Sequence, residues 1–139
     1  MIAALVPELY CSDFAQSLRF YTEVLGFSAR YARTEERFAY LEREGAELMI
    51  EQPVDPKRTF VTDEPTHPYG QGMNLQITVS DVDLLYGKVQ FANCSILLPL
   101  ENKWYRADNI ELGNRQFIVS DPDGYLLRFA QPLGQRPIS

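Results

Sequence analysis

Apolar and polar residues alternate through Val6–Cys11 (VPELYC): Pro7, Leu9 and Cys11 share one side, Val6, Glu8 and Tyr10 the other. A period of two predicts an extended strand with one covered face. Ser12-Asp13 then offers an N-cap, and Phe14, Leu18, Tyr21 and Leu25 recur at helical spacing. The spacing predicts a helix over Phe14–Leu25 that stops at Gly26. Strand-like runs follow at Phe27–Arg33, Arg37–Glu42 and Ala46–Gln52, with Gly45 in the turn before the last. The order is β-α-β-β-β.

The second half repeats that order. Met73–Val79 reads as a strand, Ser80-Asp81 as a cap, and Val82–Asn93 as a helix with Leu85, Val89 and Ala92 on one side. Gly87 and Val89 weaken this helix relative to the first. Strands are predicted at Ser95–Leu98, Gln116–Ser120 and Tyr125–Gln131, the last two joined by the turn Asp121-Pro122-Asp123-Gly124. Aligning Ser12-Asp13 on Ser80-Asp81 pairs Leu9 with Ile77 and Cys11 with Val79. The chain therefore reads as one α+β domain over residues 1–139, built from two β-α-β-β-β modules, 1–52 and 73–133. Residues 53–72, with four prolines and two glycines, form a linker or flap between them. A doubly wound parallel sheet would need more helices than this pattern offers.

Each strand can be sorted into two faces. Leu48 and Ile50 oppose Met49 and Glu51; Leu75, Ile77 and Val79 oppose Asn74, Gln76 and Thr78; Leu127 and Phe129 oppose Leu126, Arg128 and Ala130. One face is uniformly apolar and suits the helices. The other, bearing Glu8, Glu51, Asn74, Gln76 and Arg128, either meets water or lines a cavity.

Composition narrows the chemistry. Thirteen Lys and Arg against nineteen Asp and Glu give a net charge of −6, the opposite of a nucleic-acid binder. His67 is the only histidine, so a zinc site of several His or Cys ligands is excluded within one chain, and a Ser-His-Asp triad is disfavoured. Cys11 and Cys94 sit in separate apolar runs and read as buried free thiols. The first residues lack the basic region of a signal peptide, and no apolar run approaches the roughly 20 residues of a membrane span. A soluble cytoplasmic protein, with neither nucleic acid nor membrane as partner, is expected.

Ser12-Asp13-Phe14 leading into SLRFYTEVLGF (Ser17–Phe27), AELMIEQ (Ala46–Gln52) and RQFIVSDPDGYLLRFAQ (Arg115–Gln131) resemble the vicinal oxygen chelate superfamily of glyoxalases, bleomycin resistance proteins and extradiol dioxygenases. The resemblance spans nearly the whole chain and is closest to the bleomycin resistance branch. It implies a curved, cup-like mixed sheet with helices on its outer face. It also implies a homodimer, in which the first module of one subunit faces the second module of the other. The superfamily's metal enzymes place one ligand on each of the first, fourth, fifth and eighth strands, positions that fall on Val6, Glu51, Asn74 and Arg128. Only Glu51 is a competent anionic ligand, so neither a metal nor any other cofactor, and no catalytic residue, is expected.

The resemblance instead implies a non-catalytic protein that sequesters a drug or metabolite, such as a bleomycin-type cationic glycopeptide, in a dimer-interface cup. Glu51 and Arg128 are expected to pair across that cup or to hold opposite ends of a polar ligand. The candidate ligand-binding residues are Glu8, Phe38, Tyr40, Met49, Glu51, Asn74, Gln76, Trp104, Tyr105 and Arg128. Trp104-Tyr105 lies in a polar stretch without clear period, Leu100–Asn109, and reads as an exposed loop. Trp104 there would stack on a flat heteroaromatic ligand or pack against a partner. The alternative is a metal-dependent lyase, isomerase or dioxygenase with a degenerate site through Glu8 and Glu51.

Overall fold

A computed structural model describes residues 2–138. It consists of β1 (Glu8–Tyr10), α1 (Phe14–Arg19), β2 (Ser28–Arg33), β3 (Phe38–Arg43), β4 (Ala46–Glu51), β5 (Asn74–Thr78), α2 (Val82–Phe91), β6 (Ile96–Ala107), β7 (Ile110–Ser120) and β8 (Leu126–Pro137). Two four-stranded mixed sheets result, ordered β1-β4-β3-β2 and β5-β8-β7-β6. In each, the first strand lies parallel to the last and the other pairings are antiparallel. The expected α+β architecture of two β-α-β-β-β modules is the one observed.

The duplication extends to the side chains that start the helices. The Asp13 carboxylate accepts the Gln16 N–H at 3.2 Å, and the Gln52 amide oxygen accepts the Phe14 N–H at 2.9 Å. In the second module Asp81 accepts the Leu84 N–H and Gln131 the Val82 N–H, both at 3.0 Å. Each module thus satisfies two of its helix's unpaired amides with a cap and with a glutamine at or just past its last pairing strand. Beyond Arg19 the first helix widens into a π turn, Phe20–Val24, in which the Leu25 N–H reaches the Phe20 carbonyl at 3.0 Å. Gly26 follows at φ +79°, and Arg43 donates to the Leu25 carbonyl at 2.9 Å.

One apolar cluster serves both modules. Leu9, Tyr21, Leu25, Leu41 and Ile50 join Ile77, Val82, Leu85, Val89, Phe117, Leu127 and Phe129, all buried. The modules are further tied by the Asp121–Gly124 turn. Asp121 accepts the Tyr21 hydroxyl at 2.8 Å and the Asp123 and Tyr125 N–H groups at 2.9 and 3.0 Å. Asp123 accepts the Ser12 hydroxyl at 2.5 Å, and the Tyr125 hydroxyl donates to the Tyr10 carbonyl at 2.8 Å. Burial pushes the pKa values of both Asp121 and Tyr21 upward.

The largest departure from the sequence reading is in the second sheet. Ser95–Leu98 is only the start of β6, which continues to Ala107, so Leu100–Asn109 is a strand and a turn rather than a loop. β7 begins six residues before Gln116, at Ile110, and β8 runs on from Gln131 to Pro137. Past the reach of α2 both faces of these strands meet water, and the alternation that betrays a half-buried strand disappears. Asp108, at φ +58°, starts the tight turn between β6 and β7. In the 53–72 segment the one regular feature is a single 3-10 turn, Pro56–Arg58. Its far end is pinned where the Tyr69 N–H donates to the Asp123 carbonyl at 2.8 Å. Among the described residues no helix is long and apolar enough to cross a membrane.

Tyr21→Phe removes the one side-chain donor that, among the described residues, reaches Asp121 from the other module. The substitution should lower stability by about 1–3 kcal/mol, the usual cost of stranding a buried acceptor. Urea unfolding checks this, and an unchanged midpoint would show that the turn does not tie the modules together.

Candidate functional site

Cross-strand register collects one face of the first sheet into a cup. Glu8 lies opposite Met49, Tyr10 and Phe38 opposite Glu51, Tyr40 opposite Met49, and Arg33 opposite Phe38. Directly paired residues share a face, so these side chains converge. A bulge between Ala29 and Tyr31 brings Tyr31 opposite Tyr40. A cavity of about 580 Å³ results, lined by Glu8, Tyr31, Arg33, Glu36, Phe38, Met49 and Glu51, and by Val54, Asp55, Arg58 and Phe60 of the connecting segment. The Phe60 N–H donates to the Tyr10 hydroxyl at 3.0 Å, which holds that segment against the sheet.

The wall of the cup is a stack of rings. Tyr31 lies 5.3 Å from Tyr40 at 16° and 6.1 Å from Phe38 at 29°. The Arg33 guanidinium sits 4.1 Å from the Phe38 ring centre and bonds Glu36 at 2.5 Å. Tyr40 is buried behind this wall; its hydroxyl donates to Glu47, which pairs with Arg30 at 3.3 Å. That hydroxyl bond holds the Glu47 carboxyl below its ordinary pKa against the opposing effect of burial. Glu51 behaves oppositely. Burial first, and the neighbouring Glu8 carboxylate second, raise its pKa, with Glu36 adding and Arg33 and Arg58 partly offsetting. Among the described residues neither Glu8 nor Glu51 has a basic group within salt-bridge distance.

Of the residues expected from the sequence, Glu8, Phe38, Met49 and Glu51 line the cavity and Tyr40 backs it. Asn74, Gln76 and Arg128 lie together on the other sheet, Gln76 opposite Arg128 and the Arg128 guanidinium donating to Asn74 at 3.2 Å. Within one chain Glu51 and Arg128 do not pair: the charged groups acting on Glu51 are Glu8, Arg33, Glu36 and Arg58. Tyr105 joins this second face, its hydroxyl accepting the Gln116 amide at 2.6 Å. Gln116 is buried, and its Oε1 and the Nε of Arg128 have no hydrogen-bond partner.

Trp104, one residue before Tyr105 in a strand, points the opposite way. Its ring crosses Gly113, where a Cβ would come within 2.8 Å, and lies 4.1 Å from the Arg136 guanidinium. It therefore does not face the cup. Sequence reasoning did not assign Arg33, Glu36, Asp55, Arg58 or Phe60 to the site. The alternation in Phe27–Arg33 could have placed Arg33; the connecting segment carried no periodic signal.

The four positions to which the resemblance assigns metal ligands carry Val6, Glu51, Asn74 and Arg128, and Arg128 is already bonded to Asn74. Among the described residues no group of three or more His, Cys, Asp or Glu side chains converges. This donor set does not fit a divalent cation, which needs several oxygen or nitrogen ligands.

A family model described as Glyoxalase/Bleomycin resistance protein/Dioxygenase superfamily matches residues 2–129. Comparison with curated proteins gives no match. Among solved structures, TioX from Micromonospora sp. ML1 is 25% identical over 94% of this chain and 99% of its own, with a TM-score of 0.71. A protein of unknown function from Agrobacterium tumefaciens str. C58 is 23% identical over 96% of both chains, also at 0.71. A glyoxalase/bleomycin resistance protein/dioxygenase superfamily member from Vibrio splendidus 12B01 is 38% identical over 91% of this chain and 95% of that one, with a TM-score of 0.42.

The raised Glu51 pKa carries a stability consequence. A carboxylate whose folded pKa exceeds its unfolded value destabilises the fold above the folded pKa, and that cost vanishes below the unfolded one. Glu51→Gln should therefore unfold at higher urea than the wild type near neutral pH. The advantage should shrink as the pH falls through the raised value toward the ordinary carboxylate range. An advantage that is absent at neutral pH, or that grows on acidification, would contradict this electrostatic picture.

Proposed function

This chain belongs to the glyoxalase/bleomycin resistance protein/dioxygenase superfamily, and on that premise we propose that it is a non-catalytic binding protein that sequesters a small molecule, a drug or a metabolite. The observation that carries the reading is the cup itself: a cavity of about 580 Å³ with a pre-stacked aromatic wall and carboxylates, and no converging metal-ligand set among the described residues. A wall already stacked in the free protein favours capture, because its ordering cost is met in folding rather than in binding. Val54 and Phe60 come from the connecting segment, which is joined to the sheet by few bonds and is the natural entry point.

A homodimer belongs to the same proposal. Asn74, Gln76, Tyr105 and Arg128 form a polar face outside the cavity of their own chain. The Arg128 guanidinium, bonded to Asn74 at the exposed edge of this face, is the charged group a second copy or a shared ligand would meet. In that arrangement Arg128 of one subunit closes the cup of the other, and resistance to a captured drug follows from stoichiometric binding without turnover.

Protein dialysed against Zn²⁺, Ni²⁺, Mn²⁺ and Fe²⁺ should retain no stoichiometric metal by elemental analysis; retention of one metal per chain at micromolar affinity would overturn the reading. Because Trp104 faces away from the cup, a Tyr31→Trp variant supplies the optical reporter. Bleomycin-type glycopeptides and flat heteroaromatic drugs should be screened against it. Arg128→Ala should weaken a captured compound roughly tenfold if Arg128 closes the cup, the worth of one charge-assisted contact. Unchanged affinity together with unchanged oligomeric state in size-exclusion light scattering would remove Arg128 and the dimer from the proposal.

A further inference from the structure

Three aromatic rings of the cup already have cations from their own chain beside them. The Arg33 guanidinium lies 4.1 Å from the Phe38 ring centre and 5.9 Å from that of Tyr31, and Arg58 lies 5.0 Å from Phe60. All fall inside the roughly 6 Å over which a ring face attracts a cation. The carboxylates beside those rings, Glu8 and Glu51, have no basic partner within salt-bridge distance among the described residues. Arg33 spends its ionic contact elsewhere, on Glu36 at the rim. The cup thus offers ring faces that already hold guanidinium groups, next to carboxylates that those arginines offset only from beyond salt-bridge distance.

We propose that the ligand is an organic cation on a flat apolar body, and that Arg33 is the internal guanidinium it displaces from the Phe38 face. This rests on the reading of the cup as a small-molecule site. Arg33 is well placed to yield. It ends β2, its side chain is 43% exposed, and its partner Glu36 lies three residues on in the Thr34–Glu36 turn. Swinging away from Phe38 therefore needs side-chain rotation alone, and the Glu36 side chain, 58% exposed, is free to follow. The incoming cation takes the vacated ring face and lies beside Glu51 and Glu8, a contact Arg33 itself does not make. An anionic ligand meets the same carboxylates as repulsion, and a neutral one gains the stacking without the charge.

Three fluorescent probes of one shape separate these cases: N-methylacridinium, neutral acridine at mildly alkaline pH, and acridine carboxylate. Each is titrated into the full chain as wild type, Glu51→Gln and Arg33→Met. The cation should bind the wild type at least roughly tenfold tighter than the neutral probe, and Glu51→Gln should remove about that factor for the cation alone. Arg33→Met, which keeps the aliphatic stem on an exposed side chain, should tighten cation binding roughly three- to tenfold. Equal or tighter binding of acridine or its carboxylate, or weaker cation binding by Arg33→Met, overturns the inference and leaves the binding reading standing. Absence of binding by all three probes overturns both.

Discussion

A single buried carboxylate holds the arrangement together. Asp121 sits at the end of β7 with one oxygen accepting two amides of its own turn and the other accepting the Tyr21 hydroxyl from the first module. An uncompensated carboxylate at that depth would cost several kcal/mol, so the turn and the helix must meet in this one geometry. From there the constraint propagates by contact. Tyr125, two residues past Asp123, donates to the Tyr10 carbonyl, and the Tyr10 hydroxyl in turn accepts the Phe60 amide. The position of the segment that roofs the cup is thus tied, bond by bond, to a turn on the other module.

Much of the fold was legible because the duplication repeats physical devices and not merely letters. Ser12-Asp13 and Ser80-Asp81 read as caps, and both aspartates do cap; Gln52 and Gln131 reach the amides of Phe14 and Val82 in the same way. Alternation located the strands wherever one face was covered. It failed where neither was: beyond the end of α2 the β6–β7–β8 extension is wetted on both sides, so Leu100–Asn109 looked structureless. That error carried directly into the site, since Trp104 and Tyr105 looked equivalent in a loop and point to opposite faces in a strand.

The site was less legible than the fold for two local reasons. A bulge at Ala29–Tyr31 shifts the register by one residue, so both Arg30 and Tyr31 come against Tyr40, an outcome no periodic pattern encodes. The remaining lining residues, from Val54 to Phe60, sit on a connecting segment with a single 3-10 turn and no hydrophobic period, held to the sheet by a tertiary hydrogen bond to Tyr10. What the sequence did convey was the chemistry of the ligand positions. One carboxylate, an amide, an arginine and a valine are a poor cation cage whatever their distances.

The duplication also bears on the proposed binding function. Two related modules offer equivalent faces, and a metal enzyme needs both to contribute donors of the same kind to one point. Here the two faces have diverged in chemistry. The first gathers Glu8, Glu51 and a ring stack, and the second gathers Asn74, Gln76, Gln116 and Arg128. In the proposed dimer those halves would set an acidic, aromatic wall opposite an amide-rich, basic one. Such a pair cannot concentrate negative charge on a metal, because Arg128 is permanently charged and would repel it. It can, however, recognise the two ends of an extended polar molecule at once, with aromatic area between them. On the proposed reading, divergence between the halves gives up a shared donor point and keeps a polarity along the cup by which one ligand would be told from another.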